Sequence, residues 1–265
     1  MKARINRNFL EQTSFDSGMP SGLGIVVHRF EEVGEYEIAV LRNDRDAARL
    51  SLVVAGERPA EEAGRRALPA AQEVELAPSQ VNIELGQARR AALARPLGEL
   101  EGPYIVRPGG YVSFTAARQE DASAVVVRRR RKDDREELFD SRRLAQDDIF
   151  SVTMVRPGTY SLKNAVTGAE GKITVAYPTR GKEPYRPPDP IPVESTDDGF
   201  SISSIDLMPA QGIIFRMSTP SRIYIDLVEP DDGPQGPRPP KIAGWRKRPD
   251  QQVATEPDDK TSQSA

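Results

Sequence analysis

His28 is the only histidine in 265 residues, and the chain has no cysteine. Any histidine-based catalytic triad would have to be built on that one ring. Histidine-rich metal sites cannot form within one chain, and disulfides, thiolate nucleophiles, iron–sulfur clusters and cysteine zinc sites are excluded. His28 follows Ile25, Val26 and Val27. If strand alternation holds, it shares a face with Val26 and Phe30, the setting of a packed side chain more than of a catalytic one. The carboxylate doublets Asp133–Asp134, Asp147–Asp148, Asp197–Asp198 and Asp231–Asp232 could offer oxygens to calcium. None has the ligand spacing of an EF-hand loop, and turns account for them better. Arg128 to Lys132 is an unbroken basic run followed by a cluster of acids up to Glu137. It could clamp phosphates, but a long solvated hairpin with cross-strand ion pairs explains it more simply. No G-x-S-x-G, Walker or Rossmann pattern occurs.

Two apolar groups near the ends invite a partner. Ile242 and Trp245, the only tryptophan, could anchor in a groove, with Arg246, Lys247 and Arg248 steering the approach. Phe9, Leu10 and Phe15 could either cap the first sandwich or reach a neighbouring subunit as an arm. The net charge of −3 comes from 37 basic and 40 acidic residues interspersed along the chain, which argues against nucleic acid as a partner. No segment approaches the roughly 18 apolar residues of a membrane span, and no signal peptide is read at the start. The expected location is cytoplasmic, or within a particle assembled in the cytoplasm. No cofactor or metal is expected.

The elements that position these residues read as strands. Alternation runs through Gly22–Phe30, Gly34–Asp44 and Ala48–Gly56, and resumes in the Glu99–Pro178 stretch and in Phe200–Val228. The expectation is an all-β protein of two antiparallel β-sandwich units. Its parts are an arm over 1–21, a sandwich over 22–98, a second over 99–178, a proline-rich linker over 179–192, extra strands over 193–229 and a disordered tail over 230–265. Gln87–Arg95 should be a short helical connector between the sandwiches, stopped by Pro96. The strands of 193–229 are too few to bury a core and must pack on another unit or a partner.

Short echoes recur: "RPGGY" (Arg107–Tyr111) as "RPGTY" (Arg156–Tyr160), more loosely "VGEY" (Val33–Tyr36), and "LAPSQVNIEL" (Leu76–Leu85) as "LMPAQGIIFRM" (Leu207–Met217). Shared turn chemistry accounts for them, with duplication of a sandwich module as the sharper alternative.

The segment Glu137–Pro178 carries "FDS" (Phe139–Ser141), a strand over Leu144–Met154, a P-G-x-Y turn (Pro157–Tyr160) and a closing G-x-I-x-V strand (Gly171–Val175). It resembles the C-terminal half of a cupredoxin, and the resemblance extends over about residues 99–178. It implies a blue-copper type of sandwich with Tyr160, Leu162, Ile173 and Val175 pointing inward. It also implies that copper is not bound. The position matching the cysteine ligand is Asn164, and no histidine stands where the family has one. The expected function is therefore non-enzymatic: a structural or adaptor subunit of a larger assembly, contacting other protein subunits, its own or different. The alternatives are a small-ligand or carbohydrate-binding module, for which Tyr104, Tyr111, Tyr177 and Tyr185 are available, and an enzyme using carboxylates alone.

Overall fold

A computed structural model describes residues 11–56, 77–95, 100–130, 135–177 and 185–232. The described strands and helix are, in chain order, β1 (Ser14–Asp16), β2 (Gly24–Phe30), β3 (Gly34–Arg42), β4 (Arg45–Val54), β5 (Gln80–Glu84), α1 (Leu85–Leu93), β6 (Glu101–Val106), β7 (Gly110–Thr115) and β8 (Ala124–Arg130). They continue with β9 (Arg135–Asp140), β10 (Ile149–Met154), β11 (Gly158–Asn164), β12 (Glu170–Val175), β13 (Ile191–Thr196), β14 (Gly199–Phe200), β15 (Ser204–Leu207), β16 (Gln211–Met217) and β17 (Ile223–Pro230).

The protein is all-β, as the alternation implies, but its sheets do not divide at residues 98 and 99. A seven-stranded central sheet runs β14-β13-β16-β10-β2-β7-β5. One five-stranded flank runs β6-β4-β3-β8-β9, and the other β1-β17-β11-β12-β15. Residues expected to form the second sandwich thus contribute to all three sheets. The helix is no connector between sandwiches, because it lies between β5 and β6, capped by the Glu84 carboxylate on the N–H groups of Gly86 and Gln87. The late strands add to both the central sheet and the second flank, which is how so short a set finds a core. Ile191 and Pro192 are already in β13, so the expected linker ends earlier than its composition suggests.

Register fixes which face of the central sheet is buried. Phe150 lies opposite Phe215 and Val26, Val26 opposite Phe114, and Phe215 beside Val193. All five are buried. From this face Phe30 meets the edge of Tyr36, and Phe114 stacks on Phe139, with centroids 5.2 and 5.6 Å apart. Those contacts reach the first flank. On the same face Ser195 meets Asn164 of the second flank at 3.0 Å. Both flanks therefore sit side by side on one face, and a single hydrophobic cluster runs beneath them. Burial of Tyr160, Leu162, Ile173 and Val175 to 0–1% exposure matches the inward alternation read from the sequence.

The strand orders repeat. In the first flank, hairpin β3–β4 is bordered by β8 antiparallel to β3 and β6 parallel to β4. In the second, hairpin β11–β12 is bordered by β17 antiparallel to β11 and β15 parallel to β12. The central sheet is likewise doubled: β2-β7-β5 mirrors β10-β16-β13, and the halves meet at the antiparallel β2–β10 pair. Hydrogen bonds repeat with the strands. Gly109 N–H donates to Phe30 O at 2.7 Å, as Ala210 N–H does to Met154 O at 2.6 Å. Ala55 N–H donates to Val106 O at 2.9 Å, as Ala176 N–H does to Leu207 O at 2.8 Å. Gly109 and Ala210 share a left-handed backbone, φ 73° and 62°.

Two of the sequence echoes mark this repeat. Tyr36 donates its hydroxyl to Glu32 O at 2.5 Å, and Tyr160 donates to Arg156 O at 2.8 Å. Each pins the start of its strand to the residue four positions back, the tyrosine corner of sandwich folds. "VGEY" and "RPGTY" are therefore equivalent. "RPGGY" is not, because it opens β7, whose counterpart β16 opens with "MPAQG".

The first strand of each repeat is exchanged. "FDS" occurs twice, at Phe15–Ser17 and Phe139–Ser141. Phe15 of β1 lies opposite Ile225 of β17, while Phe139 of β9 lies opposite Val127 of β8. Ser17 Oγ accepts from Ile223 N–H at 3.0 Å, and Ser141 Oγ accepts from Val125 N–H at 2.9 Å. The strand that opens the first repeat completes the second repeat's flank, and the strand that opens the second completes the first's. The crossover segments touch where Ser141 Oγ donates to Gly18 O at 2.9 Å.

Candidate interaction surface

With both flanks on one face, the other face of the central sheet is covered by neither flank among the described residues. Alternation places Ile25 and Val27 of β2, Ile149 of β10 and Ile214 of β16 on it. Cross-strand pairing gathers them, Ile149 opposite Val27 and Ser151 opposite both Ile25 and Ile214. All four apolar side chains are partly exposed, whereas Val26, Phe150 and Phe215 on the opposite face are buried. Arg29, Tyr111, Glu194 and Arg216 are exposed around them. An apolar centre with a polar, aromatic and arginine-bearing rim is the composition of a protein-binding patch.

His28 lies on the buried face at the seam between the flanks. Its Nδ1 is 2.6 Å from Asp148 Oδ1, and its ring packs against Phe30 and Phe139, with centroids 4.8 and 4.9 Å apart. Asp148 also accepts from Ala145 N–H at 2.7 Å. The pair ties β2 to the turn before β10, and no hydroxyl or thiol of a nucleophile is placed on the ring by the described hydrogen bonds. The other buried carboxylates also face bases: Asp121 meets Arg89 at 2.8 Å and Arg90 at 3.4 Å, and Glu37 meets Arg49 at 3.8 Å. A carboxylate-only mechanism needs two facing acids; among the described residues Asp121 and Glu37 face arginines instead and Asp148 faces the His28 ring.

Asn164 stands where the cupredoxin resemblance would put the cysteine ligand. Its Nδ2 donates to Ser195 Oγ and Ser221 Oγ, both at 3.0 Å. Its Oδ1 accepts from the N–H groups of Val166 at 3.0 Å, Thr167 at 3.5 Å and Arg222 at 3.2 Å. All three side chains are fully buried. A neutral amide with every donor and acceptor engaged has nothing to offer a metal, so the residues present do not fit copper. Among the described residues no three acidic or histidine side chains gather as a metal-binding group, and no helix is long and apolar enough to cross a membrane.

The partner-binding residues named from sequence fare differently. Phe15 is only 2% exposed, packed under β17 and against Gly24. Within this chain it caps the core, the first of the two roles the sequence left open for it. Phe9, Leu10, Ile242, Trp245, Arg246 and Arg248 lie outside the described residues. Arg128, Arg129 and Arg130 of the basic run lie in β8, antiparallel to β9, with Arg128 and Glu137 paired at 3.7 Å across the strands; Arg131 and Lys132 lie outside the described residues. Asp133 and Asp134 fall outside the described residues.

A concavity lies on the outward face of the second flank. It has a volume of about 420 Å³ and is bordered by Ser161, Lys163, Glu170, Tyr224 and Asp226. Arg222 sits over the Tyr224 ring, 5.0 Å from its centroid. Burial, with Asp16 adding to it, holds the Tyr224 hydroxyl above its ordinary pKa. Of the tyrosines proposed from sequence as platforms, Tyr111, Tyr177 and Tyr185 are exposed, and none of them lines this groove.

Comparison with protein-family models, with curated proteins and with solved structures finds no match to this chain.

Proposed function

We propose that the chain is a non-enzymatic structural or adaptor subunit that works through protein–protein contacts. The observation that carries this reading is the outward face of the central sheet, where Ile25, Val27, Ile149 and Ile214 form an apolar centre with a charged rim. Partners would be other protein subunits, copies of this chain or different ones. The likeness of the β11–β12 hairpin to a cupredoxin enters only as framework, since Asn164 stands where a ligand would be. The test is to place like charges on the face, with Ile149→Lys and Ile214→Lys together, and compare complexes recovered from the native source with those of the parent chain. Loss of a stoichiometric partner in the double variant, with the melting temperature kept, supports the reading. Parent and variant both recovered as the same partner-free monomer would overturn it.

A small-ligand reading has one observation in its favour, the Tyr224 groove. A ring beside Lys163, Glu170 and Asp226 could take a sugar or another polar ligand. Thermal-shift screening of saccharides against the parent and Tyr224→Ala would show a ligand-dependent rise in the parent alone.

A further inference from the structure

The exchanged first strands carry an inference about assembly. β1 and β9 do the same work with the same residues, but β9 pairs with the strand just before it in the chain, whereas β1 pairs with one 212 residues away at Ser14 and Asp226. β9 is held at both ends, to β8 through its hairpin and to β10 through Ser141–Asp148. β1 is three residues long; it leads into the crossover Ser17–Leu23, and just before it Thr13 O accepts from Leu227 N–H at 2.8 Å while the buried Gln12 bonds Ser21 and Leu23. Its attachment to β17 is a short ladder, the Phe15 side chain, the Asp16–Arg222 ion pair at 2.9 Å, the Ser14–Asp226 hydrogen bond at 2.6 Å and the Ser17 contact to Ile223. Each of these contacts joins β1 to a repeat that is not its own in sequence. They therefore form unchanged whether β17 belongs to the same chain or to another.

We propose that β1 is an exchangeable strand, and that its acceptor, the edge of β17 that β1 covers here, also takes β1 from a second copy of this chain. Exchange conserves the contacts between β1 and β17 and costs intramolecular tethering and a changed path of the crossover, so the two arrangements are weighed by chain concentration against an effective concentration of order millimolar. A removed β1 leaves the backbone edge of β17 unpaired and Ile225 uncovered, an edge that recruits another strand. The occupant is specified by the fold itself, since the pocket beside Ile225 is shaped for the phenylalanine of an F-D-S segment, as the pocket beside Val127 is for Phe139. A pair of such exchanges closes a dimer, and a one-way series gives a filament. This rests on the structural-subunit reading only for its biological use, because the exchange itself is independent of the outward face.

The absence of native cysteine makes the test clean. Ser14→Cys with Asp226→Cys places thiols on partners in register across β1 and β17. Arg128→Cys with Glu137→Cys does the same across β8 and β9. Each full-length chain is equilibrated reduced at about 1 mM, the scale of the effective concentration, then oxidised and run on non-reducing gels. Exchange gives covalent dimers or ladders for the first pair and monomers alone for the second. Monomers alone for both pairs would overturn the proposal, and so would dimers for both, which indicate random association. Neither result bears on the lysine substitutions of the outward face, so the two readings can fail separately.

Discussion

The two repeats solve one problem, how to close a hairpin over the core, by different chemistry. In the first, β3 turns into β4 through Asn43 and Asp44, both left-handed at φ 51° and 58°. That two-residue turn is self-sufficient, because Asn and Asp tolerate the conformation and its twist suits a hairpin. The side chain beneath it can therefore be apolar, and it is Val40, fully buried. In the second repeat the connection from β11 to β12 is longer, and the residue equivalent to Val40 is Asn164. Its Oδ1 organises the loop by accepting from the N–H groups of Val166 and Thr167. The amide must then be satisfied within the core, so Ser195 stands where the first repeat has Leu85, while Ser221 matches Ser123. A longer loop is held at the cost of a buried polar trio, fully hydrogen-bonded and so tolerable.

That difference can be broken from either side. The largest effect should come from the paired phenylalanines. Phe139→Ala removes a ring packed on Phe114 and His28 in a strand held at both ends, and should cost about 3–5 kcal/mol. Phe15→Ala should cost less in global unfolding, because β1 can open locally without the rest; chemical denaturation of both variants checks the ranking. Next, Asn164→Val copies the first repeat into the second and leaves two buried hydroxyls and a loop without its acceptor, a loss of about 3 kcal/mol. Val40→Asn, which buries an amide without the matching serine, should cost at least as much. Ser141→Ala and Ser17→Ala remove the same hydrogen bond in the two repeats. Ser141 should be the costlier by about 1 kcal/mol, since its hydroxyl alone also bonds Gly18.

The smallest effect concerns pH. Burial raises the Tyr160 pKa above its ordinary 10.0. The unfolded chain then loses that proton at lower pH than the folded chain. Stability is whole below pH 10 and falls as pH rises beyond it, more steeply in the parent than in Tyr160→Phe. Thermal melts from pH 8 to 11 measure the slope.

The all-β class was legible from alternation, and so was the inward face of β11 and β12, because one hairpin dictates its own faces. Domain limits were not legible. Residues 99–178 look continuous as sequence, yet strand pairing here joins segments more than 100 residues apart, such as Ser14 with Asp226, and no local signal reports that. The repeat was half visible. "VGEY" and "RPGTY" are equivalent, but "RPGGY" obscured them, since a proline–glycine turn before a tyrosine says nothing about where the hydroxyl goes. The second "FDS" was the stronger signal. Residues 14–41 align with 138–165 without a gap and share Phe15/Phe139, Asp16/Asp140, Ser17/Ser141, Ile25/Ile149, Gly34/Gly158 and Tyr36/Tyr160. Comparing the chain with itself at that fixed separation would have found it. The outward patch was hidden for a different reason. Ile25, Val27 and Ile149 sit in strands apolar on both faces, so period alone could not say which face was covered.

The central claim is that two copies of one module trade their opening strands. Backbone nuclear Overhauser contacts of the deuterated native chain, read from Ser14, Phe15 and Asp16, test it without any substitution. Reciprocal exchange places those contacts at Tyr224, Ile225 and Asp226. Contacts instead at Val126, Val127 and Arg128, where an unexchanged module would hold its own first strand, would contradict it.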